Sequence, residues 1–300
     1  MDIYAEITDR IIAELEAGTV PWEKPWTGTR SGAIRRSNGR PYSLLNQMIL
    51  GKPGEYLTYK QCEAEGGRIK KGCRAKMVVF WKFVQHEKKD DYGAVIRDAN
   101  GLPVTANIPF LRYYSVFHID DCEGLSPKWN ALPESDPTIQ PIERAQTVLD
   151  AYIAREGISL QHEKSDEAFY SPARDVIHLP LMEQFSNSES YYDTAFHESV
   201  HSTGHPRRLN RISASSPSSS FGGESYSKEE LVAEIGACAI MHELGIETTQ
   251  TFRNNAAYIQ SWLKALRNDK RMIVSAAGKA EKAVAMILNR SSTSDNQTYV

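Results

Sequence analysis

The chain has 300 residues, 41% of them hydrophobic and 24% charged, so it can bury a sizeable core and a mainly disordered chain is not expected. The formal net charge of −3 at pH 7 by itself indicates no class of partner. The N-terminus lacks the features of a signal peptide, and no apolar run approaches the roughly 18 residues of a membrane-spanning helix. We therefore expect a cytoplasmic protein with no membrane partner.

The first part of the chain mixes helical and strand patterns. Apolar residues recur every four positions from Ile3 to Leu15 and predict an amphipathic helix that ends at Gly18. In residues 57–67, Thr58 and Gln61 have the spacing of a helix-capping box. These patterns predict an α-helical start to the first domain.

Strand patterns follow. β-branched and aromatic residues predict strands over 76–83 and 111–119. The polar stretch between them carries a hairpin signal, DANG, at 98–101. The first domain, residues 1–125, is therefore predicted to be α+β.

The second domain is predicted to be mostly helical and to cover residues 144–300. A proline-rich stretch, 126–143, separates it from the first domain and reads as a linker. Helical patterns are predicted over 142–157, 189–205, 227–245 and 254–288, with a short hairpin over 168–180. The four cysteines include no C-x-x-C pair, which favours reduced thiols over a disulfide framework.

The segment HESVH, residues 197–201, fits the H-E-x-x-H metal motif. On a helix, positions i and i+4 lie above one another, so His197 and His201 can bind one metal ion. Glu198 can then exchange a proton with the attacking water and the leaving amine, as in a metallopeptidase. Zinc suits such ligands, and manganese remains an alternative.

Two routes to a third metal ligand are open. The segment SKEELVAE offers three downstream carboxylates, Glu229, Glu230 and Glu234, as in the gluzincins. We favour Glu230 as the ligand and Glu234 as an outer partner that orients a ligating histidine. The alternatives are Glu229, Glu234 or His205, the last of which needs a turn unlike that of the metzincins. Ser227 and Glu230 also have the spacing of a capping box, which is a purely structural role.

The region from Lys24 to Lys82 is strongly basic, with 13 Lys and Arg against three acidic residues. Aromatic residues alternate with these cations, and such a combination is typical of proteins that bind single-stranded nucleic acid. The alternative is that the rings are core residues and the basic run is a solvated surface. The predicted contacts are Trp22, Lys24, Trp26, Arg40, Tyr42, Lys60, Lys70, Lys71, Lys76 and Trp81.

Several segments in order along the chain resemble the plasmid-borne antirestriction proteins of the ArdC family. They are ITDRIIAELEAGTVPWEKPW, NGRPYSLLN, EYLTYKQCEAEGGRIKKG, VVFWK, HESVHSTGH, FGGESYSKEELVAEIGA and YIQSWLKALRND. The resemblance implies an N-terminal single-stranded-DNA-binding domain, a zincin-like metallopeptidase domain, and protection of incoming conjugative DNA from host restriction. It also implies DNA contacts for Tyr42 and Asn46, in YSLLN.

Our hypothesis is thus an antirestriction protein that binds single-stranded DNA and carries a zinc-dependent peptidase site, with a host protein as a candidate substrate. A second hypothesis is a protease for DNA–protein crosslinks, similar in logic to SprT-like enzymes. In a third, the metal site is not catalytic and the protein acts by coating DNA.

Overall fold

The structure is a computed structural model that describes residues 2–23, 34–129, 141–212, 224–246 and 256–290. The described residues form eight α-helices and nine strands, which confirms the predicted α+β class. None of the helices in these ranges is long and apolar enough to cross a membrane. Most of the predicted linker, together with Lys24 and Trp26, lies outside the described residues.

The N-terminal half begins with a helix and continues mainly in strands. Its elements are α1 (Ile3–Glu16), β1 (Ile34–Arg36), α2 (Leu44–Leu50), β2 (Gly54–Leu57), α3 (Tyr59–Ala64), β3 (Arg68–Ile69), β4 (Lys76–Glu87), β5 (Thr105–His118) and β6 (Cys122–Glu123). Gly18, just beyond α1, has a φ of 77°, which suits glycine and ends the helix as predicted. The capping box of Thr58 and Gln61 is also present, at the start of α3.

One four-stranded sheet, in the order β1-β2-β5-β4, forms the centre of this half. Strands β4 and β5 pair antiparallel from Lys76–Val116 to Glu87–Thr105, well beyond the predicted strand ends. The DANG turn lies farther out, where Gly101 N donates to Asp98 O at 3.0 Å. The polar stretch between the two predicted strands is therefore the end of one long hairpin. Its outer part is solvent-exposed, and Phe83 is 47% exposed.

The C-terminal half is mostly helical, as predicted. Its elements are α4 (Pro141–Glu156), β7 (Ser159–Glu163), β8 (Phe169–Ser171), β9 (Val176–Pro180), α5 (Ser188–Thr203), α6 (Glu224–Glu243), α7 (Ala256–Asn268) and α8 (Met272–Ile287). Strand β9 lies between β7 and β8, parallel to the first and antiparallel to the second. Two details differ from the prediction. Ser227 lies inside α6 rather than capping it, and the helical stretch over 254–288 is divided between Asn268 and Met272.

One hydrophobic core joins helices of the two halves, and two smaller clusters lie within the N-terminal half. Buried residues of α1 and α2 belong to the same continuous cluster as those of α4, α5, α6, α7 and α8. Trp22 packs edge-on against Trp262, with the ring centroids 5.3 Å apart. Thr8 Oγ1 donates a hydrogen bond to Lys270 O at 2.7 Å. The domain limits 1–125 and 144–300 stay a prediction, and the packing across them is continuous.

Candidate metal centre

Helix α5 brings the two histidines of HESVH together. The helix begins after Asn187, whose side chain accepts a hydrogen bond from Ser190 N at 2.8 Å. His197 and His201 lie one turn apart near its C-terminal end, and their Nε2 atoms are 3.0 Å apart. His197 is buried and His201 is nearly so, which shields the pair from solvent.

Helix α6 supplies a carboxylate to this pair. Glu230 Oε2 lies 3.5 Å from His197 Nε2, and Glu230 Oε1 lies 3.3 Å from His201 Nε2. The close approach of the helices depends on Gly236 in α6, because a Cβ there would lie 2.8 Å from Cγ2 of Val200. Within the described ranges, His197, His201 and Glu230 are the one group of three or more side chains with metal-binding geometry.

The spacing of these three groups fits a small divalent cation. Tetrahedral zinc, with bonds of about 2.0–2.1 Å to nitrogen and oxygen, separates its ligand atoms by roughly 3.3–3.5 Å. The two imidazole Nε2 atoms are 3.0 Å apart, and each lies 3.3 or 3.5 Å from one of the two Glu230 oxygens, which is close to these values. The donor set of two imidazoles and one carboxylate is also one that catalytic zinc sites use.

Two further glutamates lie on the Nδ1 side of the histidine rings. Glu234 Oε1 lies 3.6 Å from His197 Nδ1, and Glu229 Oε1 lies 3.7 Å from His201 Nδ1. Each histidine thus presents Nε2 to the centre of the cluster and Nδ1 to a carboxylate. Outer carboxylates in this arrangement fix the ring orientation of a ligating histidine and raise its basicity.

Arg211 holds one of these carboxylates in place, and sequence reasoning missed it. Its guanidinium donates to Glu229 Oε1 at 2.7 Å, to Thr203 Oγ1 at 2.8 Å and to Val200 O at 2.9 Å. Arg211 therefore links the end of α5 to Glu229 on α6. No motif or helical spacing in the sequence connects Arg211 to Glu229, so the pattern carried no signal for this contact.

The electrostatics of the cluster favour positive charge at its centre. Burial alone would lower the pKa of His201, but the adjacent Glu229 and Glu230 carboxylates outweigh it and raise the pKa to about 10. Burial would raise the pKa of Glu230, yet hydrogen bonding to His197 and His201 lowers it far below its usual range. Glu198 is buried beside the histidines, and its charge also raises the pKa of His201. Such a site suits a cation.

His205, the alternative third ligand, lies outside this cluster. Its Nδ1 accepts a hydrogen bond from Arg207 N at 3.1 Å, in the turn that follows α5. Asp175, just before β9 of the three-stranded sheet, forms ion pairs with Arg207 and Arg208 of the same turn. Burial would raise the pKa of Asp175, but hydrogen bonds from Arg208 and Tyr170 lower it to about 2.

The residues predicted to contact DNA divide into buried and exposed groups. Trp22 is 1% exposed and belongs to the shared core, so the prediction that it stacks on a base is wrong for this conformation. Tyr42 is also buried, edge-on against Tyr56. Asn46 is 2% exposed and exchanges two hydrogen bonds with the backbone of Val79, which covers the edge of β4. Trp22, Tyr42 and Asn46 therefore have structural roles here.

The remaining predicted contacts are accessible to different degrees. Arg40, Lys60, Lys70 and Lys71 are exposed, and Trp81 is half-buried. Lys76 is partly buried and donates from Nζ to Leu50 O at 2.8 Å. Burial lowers the pKa of Lys76 below its usual range. Of the exposed cations, Lys70 also donates from Nζ to Asp120 O at 2.6 Å.

Comparison with protein families gives two matches along the chain. Residues 1–117 match the N-terminal domain of anti-restriction factor ArdC, and residues 147–279 match a zincin-like metallopeptidase domain. Two proteins from Escherichia coli named DNA primase TraC are each 37% identical to this chain over 95% and 92% of its length. The chain spans only 27% and 19% of those two proteins. Protein y4eC of Sinorhizobium fredii is 31% identical over 94% of this chain and 90% of its own length.

Two solved structures share the fold over nearly the whole chain. Both are of the antirestriction protein ArdC from plasmid R388. The metal-free form has a TM-score of 0.70 and 36% identity, and covers 97% of this chain and 100% of its own. The Mn(II)-bound form has a TM-score of 0.71 and 34% identity, and covers 98% of this chain and 99% of its own.

Proposed function

The chain belongs to the ArdC family of antirestriction proteins, and from this premise we propose that it protects incoming conjugative DNA from restriction. In this proposal it binds single-stranded DNA and acts as a metal-dependent peptidase in the cytoplasm. The observation that carries the peptidase part is the convergence of His197, His201 and Glu230, whose ligand atoms all lie within 4.8 Å of one another, as a three-ligand metal site requires.

In the proposed site, each side chain has a distinct role. His197, His201 and Glu230 hold a divalent ion, zinc or manganese, which supplies Lewis-acid activation of water and of a carbonyl oxygen. Glu198 takes the proton released as water attacks the peptide carbonyl and delivers it to the leaving amine. Glu229 and Glu234 keep the histidine rings oriented through Nδ1.

The DNA-binding part is supported by charge and accessible aromatic surface. The segment from Lys24 to Lys82 has ten more cationic than acidic residues, which favours any polyanion. Preference for a single strand requires rings that unpaired bases can reach. Among the predicted residues, half-buried Trp81 is the candidate for this role.

The Mn(II)-bound relative supports a divalent metal in a protein of this fold.

The test changes the proposed proton carrier alone. We expect Glu198→Gln to retain metal and single-strand affinity, since Glu198 is neither a ligand nor a surface cation, and to lose protection. The measurement is the number of transconjugants after transfer into a restricting recipient, with metal content determined on the purified protein. Glu189→Gln, the same change in the first turn of α5, is the control and should protect normally.

Full protection by a metal-loaded Glu198→Gln protein would contradict the peptidase part of the proposal. Antirestriction would then rest on coating of the DNA, with a metal site that is not catalytic. Loss of metal in Glu198→Gln would instead assign this glutamate to the metal site itself and remove its role as proton carrier.

A further inference from the structure

A cavity of about 450 Å³ lies between the N-terminal and C-terminal halves, away from the histidine cluster. Its lining includes Tyr4 in α1 and Trp81 in β4, together with residues of α6, of α8 and of the turn between α7 and α8. Both aromatic rings are only partly buried, although each packs on one side against the shared core. The volume lies within the roughly 300–1,000 Å³ that small-molecule sites occupy.

The rest of the lining is cationic. It includes Lys228, Arg271 and Lys279, with Asp269 as the one carboxylate among the described lining residues, which leaves a surplus of two positive charges. Lys228 pairs with Asp269 at 2.9 Å. The guanidinium of Arg271 lies over the ring of Tyr4, 5.1 Å from its centroid. Exposed Lys279 is on α8 and is available to an anion.

We infer that this cavity holds one nucleotide of a bound single strand, with the base against Trp81 and the phosphate toward Lys279. This inference rests on the proposed DNA binding and gives it a location. An aromatic ring provides the stacking surface, and ammonium groups in the same lining provide the phosphate contact. A base paired within a duplex cannot enter, because it would have to leave its stack first.

The inference also extends the DNA-binding surface beyond the N-terminal half. Lys228 and Val232 are cavity residues on α6. Successive residues of a helix are turned by about 100°, so Glu230 and Glu234 lie on the opposite side of α6. One helix therefore separates the cavity from the metal centre, and the nucleotide would contact both halves of the protein.

The test uses the full chain and two variants with matched controls. Trp81→Ala removes the stacking ring, and Phe83→Ala is its control, because Phe83 lies two residues farther along the same face of β4 and is exposed. Lys279→Gln removes the cation, and its control is Lys282→Gln, an exposed position on the same helix. Lys279→Gln does not disturb the core, so it remains informative if Trp81→Ala folds poorly.

Affinity is measured by titrating a fluorescent oligothymidylate at two salt concentrations. We expect Trp81→Ala to weaken binding about 5- to 150-fold, and Phe83→Ala to have little effect. Lys279→Gln should reduce the salt dependence by about one phosphate contact, whereas Lys282→Gln should leave it unchanged. An oligonucleotide carrying 5-iodouracil should crosslink on irradiation to the peptide that contains Trp81 or Tyr4.

Three results overturn the inference. If Trp81→Ala and Lys279→Gln are no weaker than their controls and the crosslinks map elsewhere, the cavity assignment fails while DNA binding stands. If Phe83→Ala weakens binding as much as Trp81→Ala, the strand lies along the hairpin rather than in the cavity. If the unaltered protein binds no oligonucleotide, the DNA-binding part of the proposed function fails and the nucleotide site fails with it.

Discussion

The metal centre and the basic N-terminal region differ in how their side chains are assembled. His197, His201 and Glu230 come from two adjacent helices and meet within a few ångströms. The predicted DNA contacts are spread over many elements, and they range from fully buried Trp22 to exposed Lys71. A motif with fixed helical spacing thus places its residues together, whereas a biased composition does not indicate which of its members reach the surface.

The strongest test of this contrast concerns the third metal ligand. Glu230→Ala should lower metal affinity by well over 100-fold, beyond the roughly 10- to 100-fold cost of losing an outer partner, because it removes one of three ligand groups. His205→Ala should retain the metal, since His205 lies outside the cluster. Elemental analysis after dialysis measures both. An empty site in His205→Ala together with a full site in Glu230→Ala would reverse the assignment.

The next test asks whether the buried aromatic residues of the basic region are structural. Trp22→Ala should lower the free energy of unfolding by about 3–5 kcal/mol, because it leaves a cavity in the shared core. Tyr92→Ala, at a position that is 97% exposed, should change it by less than about 0.5 kcal/mol. Urea denaturation gives both values. A small effect of Trp22→Ala would mean that the ring is not held in the core.

A third test examines the carboxylate beside Nδ1 of His201 and the arginine that holds it. Glu229→Gln should weaken metal binding about 10- to 100-fold, because His201 loses the charge that orients its ring. Arg211→Met should act in the same direction by freeing Glu229. Competition with a metal-sensitive chelating dye measures the affinity. Glu163→Gln is the control, since Glu163 also faces a histidine, His178, but away from the cluster. Equal losses in Glu229→Gln and Glu163→Gln would indicate a general effect.

The smallest expected effect is at Asp175, in the support of the turn after α5. Asparagine accepts the φ of 54° at this position, so Asp175→Asn removes charge without backbone strain. We expect a loss of about 1–2 kcal/mol of stability at neutral pH. The pKa of Asp175 is lowered to about 2, so its stabilisation is present above pH 4 and declines as the pH falls toward 2. Chemical denaturation at several pH values should therefore show the two proteins converging in acid; a constant difference would contradict this.

Local patterns predicted much of the fold. Helix α1 and its end at Gly18, the capping box of Thr58, and the DANG turn all follow from interactions between residues close in sequence. Strand β7 was missed because its segment, SLQHE, is polar and mostly exposed, and its pairing with buried β9 is a tertiary contact.

In the candidate site, too, local sequence patterns predict helix geometry but not tertiary contacts. The positions of His197 and His201 follow from helix geometry, but the contact between Arg211 and Glu229 depends on how two helices pack. Burial of Trp22 and Tyr42 likewise depends on partners far away in the sequence, such as Trp262. Proximity of this kind is a property of the folded chain, and no spacing rule encodes it.

The core that joins α1 and α2 to the C-terminal helices has a thermodynamic consequence. Elements that share one core unfold together, so α1, α2 and the C-terminal helices should unfold in a single cooperative transition. A ligand that binds only the folded chain stabilises the whole of it in proportion to the logarithm of ligand concentration. A metal ion held between α5 and α6 should therefore stabilise α1 and α2 as well, without touching them.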